Sequence, residues 1–173
     1  FRAVKRVGDL IEVLARVRRS LPARLALVGD GPERPAVEEL ARTRGVADAV
    51  AFVGPRPDVA DELPHADAFL LPSVTESFGV AALEAMSAGV PVVAYRVGGI
   101  PEVVGEAGSL VEPFDVGAFA DAVLAIAGDS ARRSALGAAA RARAVALFDR
   151  GRVLDRWEAY LRRVAATPRR IVS

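Results

Sequence analysis

Short apolar runs alternate with longer amphipathic stretches through the first 113 residues, and nothing else in the chain restricts its fold as strongly. Runs of three to five mostly apolar residues bounded by turn formers read as buried strands over 24–28, 50–53, 68–72, 90–94 and 109–111. Between them, 7–20, 33–44, 57–63 and 79–88 carry helical patterning, and a further short helix starts at Pro101. Pro32, Pro57 and Pro101 suit first helical positions, where a missing N–H goes unnoticed. This βαβα order predicts parallel strands joined by crossover helices, with both sheet faces covered. The expected fold is a doubly wound, Rossmann-like α/β unit. After Pro113 the pattern turns helical over 116–128, 131–148 and 150–165, so 114–173 reads as a helical extension of a single domain spanning 1–173. The alanine-rich middle helix offers only a thin apolar stripe for packing.

The composition removes several chemistries. With no cysteine there is no disulfide, thiolate metal site or cysteine nucleophile, and the lone His65 excludes a histidine-rich metal centre. No apolar run reaches the length of a membrane span and no signal peptide opens the chain, so a cytoplasmic location is expected. The start, Phe1-Arg2-Ala3-Val4-Lys5-Arg6, reads as structured sequence without an initiator methionine, as expected for a piece of a longer protein. The net charge of +1 hides an asymmetry. Residues 1–130 hold 12 basic and 19 acidic side chains, a balance of −7, whereas 131–173 hold 11 and 3, a balance of +8. That basic arm is either a solvated face or a surface for an acidic partner. Of the 23 basic residues, 22 are arginine, and Lys5 is the single lysine.

Parallel α/β sheets bind ligands at the carboxyl ends of their strands, so the segments after each strand are where chemistry is expected. After the first comes Val28-Gly29-Asp30-Gly31-Pro32-Glu33, in which Gly29 and Gly31 permit a tight turn and close approach of a ligand, or simply turn the chain into a helix. It is not the dinucleotide fingerprint, and no Walker phosphate loop occurs. After the third comes Ser73-Val74-Thr75-Glu76-Ser77-Phe78-Gly79-Val80, leading into a helix that carries Glu84. The amides of Phe78, Gly79 and Val80 at a helix start make an anion site suited to a diphosphate. The bland alternative is Ser77 as an N-cap with both glutamates in solvent. Eight residues separate Glu76 from Glu84, up to about 12 Å along a helix axis. That span suits two anchors on an elongated ligand better than the paired carboxylates of a glycosidase.

The Glu76-x7-Glu84 spacing encloses Ser77-Phe78-Gly79 and is followed by Ala88-Gly89-Val90-Pro91-Val92-Val93. It resembles the retaining nucleotide-sugar glycosyltransferases of family 4, which have the two-domain GT-B fold. The Gly29-Asp30-Gly31 turn and Arg96-Val97-Gly98-Gly99-Ile100-Pro101-Glu102 fall where that family places them. The resemblance covers nearly the whole chain, as the carboxy-terminal, donor-binding half of the fold. It implies that Glu84 hydrogen-bonds the ribose of a uridine nucleotide and that Glu76 holds sugar hydroxyls. The Phe78 and Gly79 amides would hold the diphosphate, and Lys5 would neutralise the diphosphate leaving group. Retention of a compact ammonium in an otherwise arginine-writing chain agrees with that role. The family arginine five residues before the lysine would lie upstream of Phe1, which leaves Arg2 as a substitute. Arg56, after the second strand, falls where the family holds the base. His65 falls at a variable family position.

Within the family, the first seven residues resemble members that transfer N-acetylglucosamine from UDP-N-acetylglucosamine to L-malate in bacillithiol biosynthesis. The implied reaction needs no metal or other cofactor, since lysine and helix dipole replace a divalent cation. The small-molecule acceptor would be held by an absent amino-terminal domain, leaving this chain inactive alone. Alternatives are another donor or acceptor in the same family, a UDP-sugar epimerase on a similar fold, or a non-catalytic module whose basic helices meet a membrane surface or nucleic acid. Packing of the basic helices against the absent domain is favoured over peripheral membrane contact, and no nucleic-acid partner is expected.

Overall fold

The computed structural model describes residues 1–57, 59 and 62–166. All five expected strands form: β1 (Leu25–Val28), β2 (Val50–Gly54), β3 (Phe69–Leu71), β4 (Val92–Tyr95) and β5 (Ser109–Val111). Every pairing between them is parallel. Proline trims two of the expected bounds. β4 begins after Pro91 and β3 ends before Pro72, because neither proline has an N–H for the ladder. The strands lie in two sheet pieces, β1-β2 and β3-β4-β5, where one continuous sheet was expected. The amino-terminal segment crosses between the two at their carboxyl ends. The Phe1 amine donates to the Asp30 carbonyl beyond β1, and the Val4 carbonyl accepts from the Val74 amide beyond β3 at 2.9 Å.

The helices are α1 (Val7–Val17), α2 (Arg34–Thr43), α3 (Val80–Ser87), α4 (Ile100–Val104), α5 (Val116–Ala127), α6 (Ser130–Phe148) and α7 (Arg150–Ala166). Pro32 lies in the turn before α2, not at a helical position, and Pro101 is the second residue of α4. The short helix expected over 57–63 includes residues 58, 60 and 61, which lie outside the described residues; a single 3₁₀ turn covers Leu63–His65.

Alternation along β4 organises the interior, because successive side chains of a strand point to opposite faces. Val93 and Tyr95 join one core with α1, β1, α2 and α5, through Leu10, Ile11, Leu14, Leu27, Val37 and Phe119 among others. Val92 and Ala94 join a second core with α3, α4 and α6, through Ala82, Met86, Ile100, Val103 and Ala140. All four residues of β4 are buried, as a central parallel strand requires. α5 and α6 thus complete the two helical layers. Each is capped by an aspartate, Asp115 accepting from the Ala118 amide and Asp129 from the Arg132 amide, both at 2.9 Å. The thin stripe of α6 is Gly137, Ala140 and Ala144. At Gly137 a Cβ would strike the Gly89 carbonyl, so the two backbones meet directly. α7 buries no residue and presents Leu154, Trp157, Leu161 and Val164 outward at 3–4-residue spacing.

Several arginines of the basic arm are used inside the fold. Arg143 donates to the carbonyls of Glu102 and Val103 at 2.7 and 2.8 Å, Arg133 pairs with Asp67 at 3.2 Å, and Arg156 donates to the Leu147 carbonyl. Among the described residues no helix is long and apolar enough to cross a membrane.

Candidate functional site

The carboxyl ends of β1, β3 and β4, with the amino-terminal segment laid across them, bring most of the sequence-predicted residues to one edge of the fold. Residues 73–79, between β3 and α3, form its centre. This loop is held by the turn after β4: the Gly99 amide donates to the Glu76 carbonyl at 3.2 Å. Gly98 has φ of +49°, and a Cβ there would strike that same carbonyl, so only glycine satisfies both the conformation and the close approach. Gly79, with φ of +94°, turns the loop into α3. A Cβ at Gly79 would strike Ile100, which locks the start of α3 against α4.

The cap of α3 is therefore Gly79, with no side-chain cap, and the alternative of Ser77 as N-cap is not what forms. Ser77 is exposed, and its carbonyl lies against Gly99. Among the described residues no protein group accepts from the amides of Phe78, Gly79 or Val80. They are orphan donors at the positive end of a helix. Phe78 stays 43% exposed, its ring edge-on to Phe148 at 5.7 Å between centroids. On α3 itself Ala82, Ala85 and Met86 face the core, leaving Val80 and Glu84 on the exposed side one turn apart, with no partner on the Glu84 carboxylate among the described residues.

Lys5 and Glu76, 71 residues apart in sequence, meet here. The Lys5 ammonium lies 2.7 Å from Glu76 Oε2, with the lysine side chain 45% exposed and the glutamate 19%. At that exposure the pair contributes up to about 1 kcal/mol. Its importance is positional, since it sets a cation beside the loop that leads into the α3 amides.

Gly29 and Gly31 stand at the end of β1, but both amides are engaged: Gly29 donates to the Gly54 carbonyl at 2.8 Å and Gly31 to Asp30 Oδ1 at 2.7 Å. The space that Gly31 opens is filled by the Phe1 backbone. Arg2 lines a groove of about 460 Å³ with Arg6, Gly8, Glu12, Glu33 and Leu40, beside α1 and α2. Arg56 pairs with Glu62 at 3.5 Å, both exposed. His65 is exposed at the end of its 3₁₀ turn. Among the described residues no group of three or more histidines, aspartates and glutamates is placed to hold a metal ion.

Sequence reasoning missed the cluster beneath Lys5. Asp9, in the first turn of α1, is buried at 6% exposure. It accepts two bonds from Arg6, at 2.6 and 3.1 Å, and one from the Tyr95 hydroxyl at 2.8 Å. The hydrogen bond to Asp9 holds the Arg6 guanidinium above its usual pKa, outweighing the lowering effect of burial. Burial foremost, then the hydrogen bond to Asp9, pushes the Tyr95 phenol well above its ordinary range. Arg6 also lies over the Phe114 ring, 5.1 Å from its centroid. Arg6 and Phe114 are the two non-glycine residues with positive φ among those described, at +49° and +69°. The available signal was the Arg6/Asp9 spacing of three, which places opposite charges on one helix face, and an aspartate leading an apolar run.

A family model described as glycosyl transferases group 1 matches residues 1–129. N-acetyl-alpha-D-glucosaminyl L-malate synthase of Bacillus anthracis is 38% identical over 160 residues, which is 91% of this chain and 42% of that protein. A glycogen synthase of Mycobacterium tuberculosis is likewise 38% identical, over 150 residues, covering 84% of this chain and 36% of its own length. Among solved structures, Anabaena HepE in complex with UDP superposes with a TM-score of 0.83 at 28% identity, over 92% of this chain and 46% of that one. The chain thus spans less than half the length of each of these three proteins.

Proposed function

This chain belongs to the group 1 glycosyl transferases and has the Rossmann-like architecture of GT-B enzymes; from that premise we propose that it is the donor-binding part of a retaining hexosyltransferase using UDP-N-acetylglucosamine with L-malate as acceptor. The observation that carries the donor half of this reading is the juxtaposition at one strand edge of Lys5, Glu76 and the orphan amides of α3. The acceptor half rests on similarity across 91% of the chain to an enzyme named for L-malate. A neighbour that binds UDP adds support for a uridine nucleotide.

In this reading the diphosphate of the donor lies at the amino end of α3. The amides of Phe78, Gly79 and Val80 donate to its oxygens, and Lys5 turns from Glu76 toward the bridging oxygen as the glycosidic bond breaks. Charge develops on the departing UDP, so donors fixed in advance lower the barrier where a solvated site would have to reorganise. A lysine suits this better than an arginine, because its compact ammonium can follow the charge between two oxygen partners. Glu84, on the exposed side of α3 with no partner among the described residues, accepts from the ribose hydroxyls. Glu76, released by Lys5, accepts from hydroxyls of the sugar. The acceptor approaches on the face from which UDP leaves, held by residues outside this chain. Lys5 and the helix amides supply the positive charge that a divalent cation supplies in other transferases.

Calorimetric titration with UDP, uridine and NAD at one fixed salt concentration tests the donor reading. Saturable binding of UDP, weaker binding of uridine and none of NAD is expected; equal affinity for UDP and uridine overturns it. The identity to a glycogen synthase favours a second reading, a glucan acceptor. Assay of a longer protein containing this chain, with malate or a glucan offered against UDP-N-acetylglucosamine and UDP-glucose, separates the two.

A further inference from the structure

We propose that Arg6 is a positioning residue for Lys5: its left-handed backbone, clamped by Asp9, sets the lysine opposite Glu76. This rests on the reading of Lys5 as the partner of a diphosphate.

Arg6 is a single-residue joint. It ends the 3₁₀ turn Ala3–Lys5 and caps the start of α1, with φ of 49° and ψ of 37°. L-residues other than Gly, Asn and Asp seldom adopt that conformation, because Cβ crowds the following carbonyl. The structure over-determines it at this position. Asp9 takes two bonds from the guanidinium, and it is itself buried and oriented by the Tyr95 hydroxyl, at the end of the fully buried strand β4. The Phe114 ring closes the other side of the guanidinium. A relaxed Arg6 would return φ to the ordinary range near −63°, a rotation of roughly 110° about its own N–Cα bond, immediately after the peptide that links it to Lys5. Among the described residues the local backbone tethers against that swing are the Lys5 amide on the Arg2 carbonyl at 2.8 Å, the Arg6 amide on the Ala3 carbonyl at 3.1 Å and the Val4 carbonyl on the Val74 amide at 2.9 Å. The Lys5 ammonium has one protein partner among the described residues, Glu76. The charge that faces a leaving diphosphate is thus aimed by a backbone angle, and the angle is kept by a buried carboxylate on the next helix.

Two substitutions separate this from a general loss of packing. Arg6→Ala and Arg6→Gly both delete the guanidinium, its bonds to Asp9 and its contact with Phe114; they differ in that glycine keeps the left-handed angle without strain. Lys5 is the chain's single lysine, so reductive methylation with ¹³C-formaldehyde gives one lysine resonance beside that of the amino terminus. Glu76→Gln marks where that resonance lies when the ion pair is absent. The expected result is that Arg6→Gly stays at the wild-type position, while Arg6→Ala and Asp9→Asn move to the Glu76→Gln position. Asp9→Asn combined with Arg6→Gly returns to wild type. The same resonance in Arg6→Ala and Arg6→Gly overturns the proposal, and the pair suffices if Asp9→Asn does not fold. A Glu76→Gln resonance identical to wild type also overturns it, because there is then no pair to position. UDP and uridine titrations run alongside: the ratio of their affinities falls about tenfold in Arg6→Ala and holds in Arg6→Gly. A wild-type chain with no preference for UDP refutes the diphosphate reading alone, and the resonance still decides whether Arg6 positions Lys5.

Discussion

Replacing Tyr95 by Phe removes one oxygen from a fully buried side chain and leaves the ring contact with Phe119, 5.3 Å between centroids, in place. The hydroxyl donates to Asp9 Oδ2 at 2.8 Å inside the core, and a hydrogen bond to a charged group contributes about 1.5–3 kcal/mol. Taking about 2 kcal/mol, Tyr95→Phe lowers Tm by about 4–8 °C for a chain of this size. The effect carries a pH signature. The phenol's pKa is raised in the folded protein, by burial foremost and by Asp9, above its unfolded value of 10.0. A raised pKa gives stability that is fully present below the unfolded value and is lost as pH rises toward the folded one. Above pH 10 the wild type therefore loses about 1.4 kcal/mol per pH unit through this group, as its phenol ionises only on unfolding. Tyr95→Phe has no such slope. Urea unfolding of the two at fixed pH values from 7 to 11.5 should show a gap of about 2 kcal/mol at neutral pH that closes by about pH 11.5. A gap that is absent at pH 7, or that holds constant through pH 11.5, refutes the account of the Tyr95–Asp9 bond.

Glu84→Ala should leave stability within about 0.5 kcal/mol, since the carboxylate is exposed and has no partner among the described residues, while weakening UDP about 10–100-fold in calorimetry. Gly98→Ala places a Cβ on the Glu76 carbonyl at a left-handed angle and should cost about 1–3 kcal/mol in urea unfolding, with UDP binding lost alongside as loop 73–79 shifts. Arg143→Ala removes the donor to the Glu102 and Val103 carbonyls and should destabilise the chain by about 1–3 kcal/mol without changing UDP affinity in the folded protein; a change in affinity would place α6 in the binding site. The 173-residue chain alone should bind donor and transfer nothing, and product formed from UDP-N-acetylglucosamine and malate by this chain would refute the assignment of the acceptor to another domain.

Periodicity alone determined the five strands, their parallel sense and the helices on either side, because apolar spacing is a local property that survives without knowledge of contacts. Element ends were less legible, and prolines account for part of the difference: Pro91 and Pro72 cannot donate to a ladder, which moved strand limits by one or two residues. The start of α3 after loop 73–79 was readable because Gly79 supplies the left-handed angle that turns the chain into the helix. That Lys5 meets Glu76 across 71 residues was not readable from spacing; it came as an expectation of a shared site from the family resemblance, and the tertiary structure supplied the ion pair. The division of the sheet into two pieces, and the engagement of the Gly29 and Gly31 amides by Gly54 and Asp30, are visible only in the tertiary structure. Asp9 is the clearest case. In sequence it is one aspartate at a helix start, while in the fold Tyr95 and Arg6 converge on it from a strand 86 residues away and from a left-handed joint. Local patterning sets which residues face inward, and only packing decides which polar groups among them find each other.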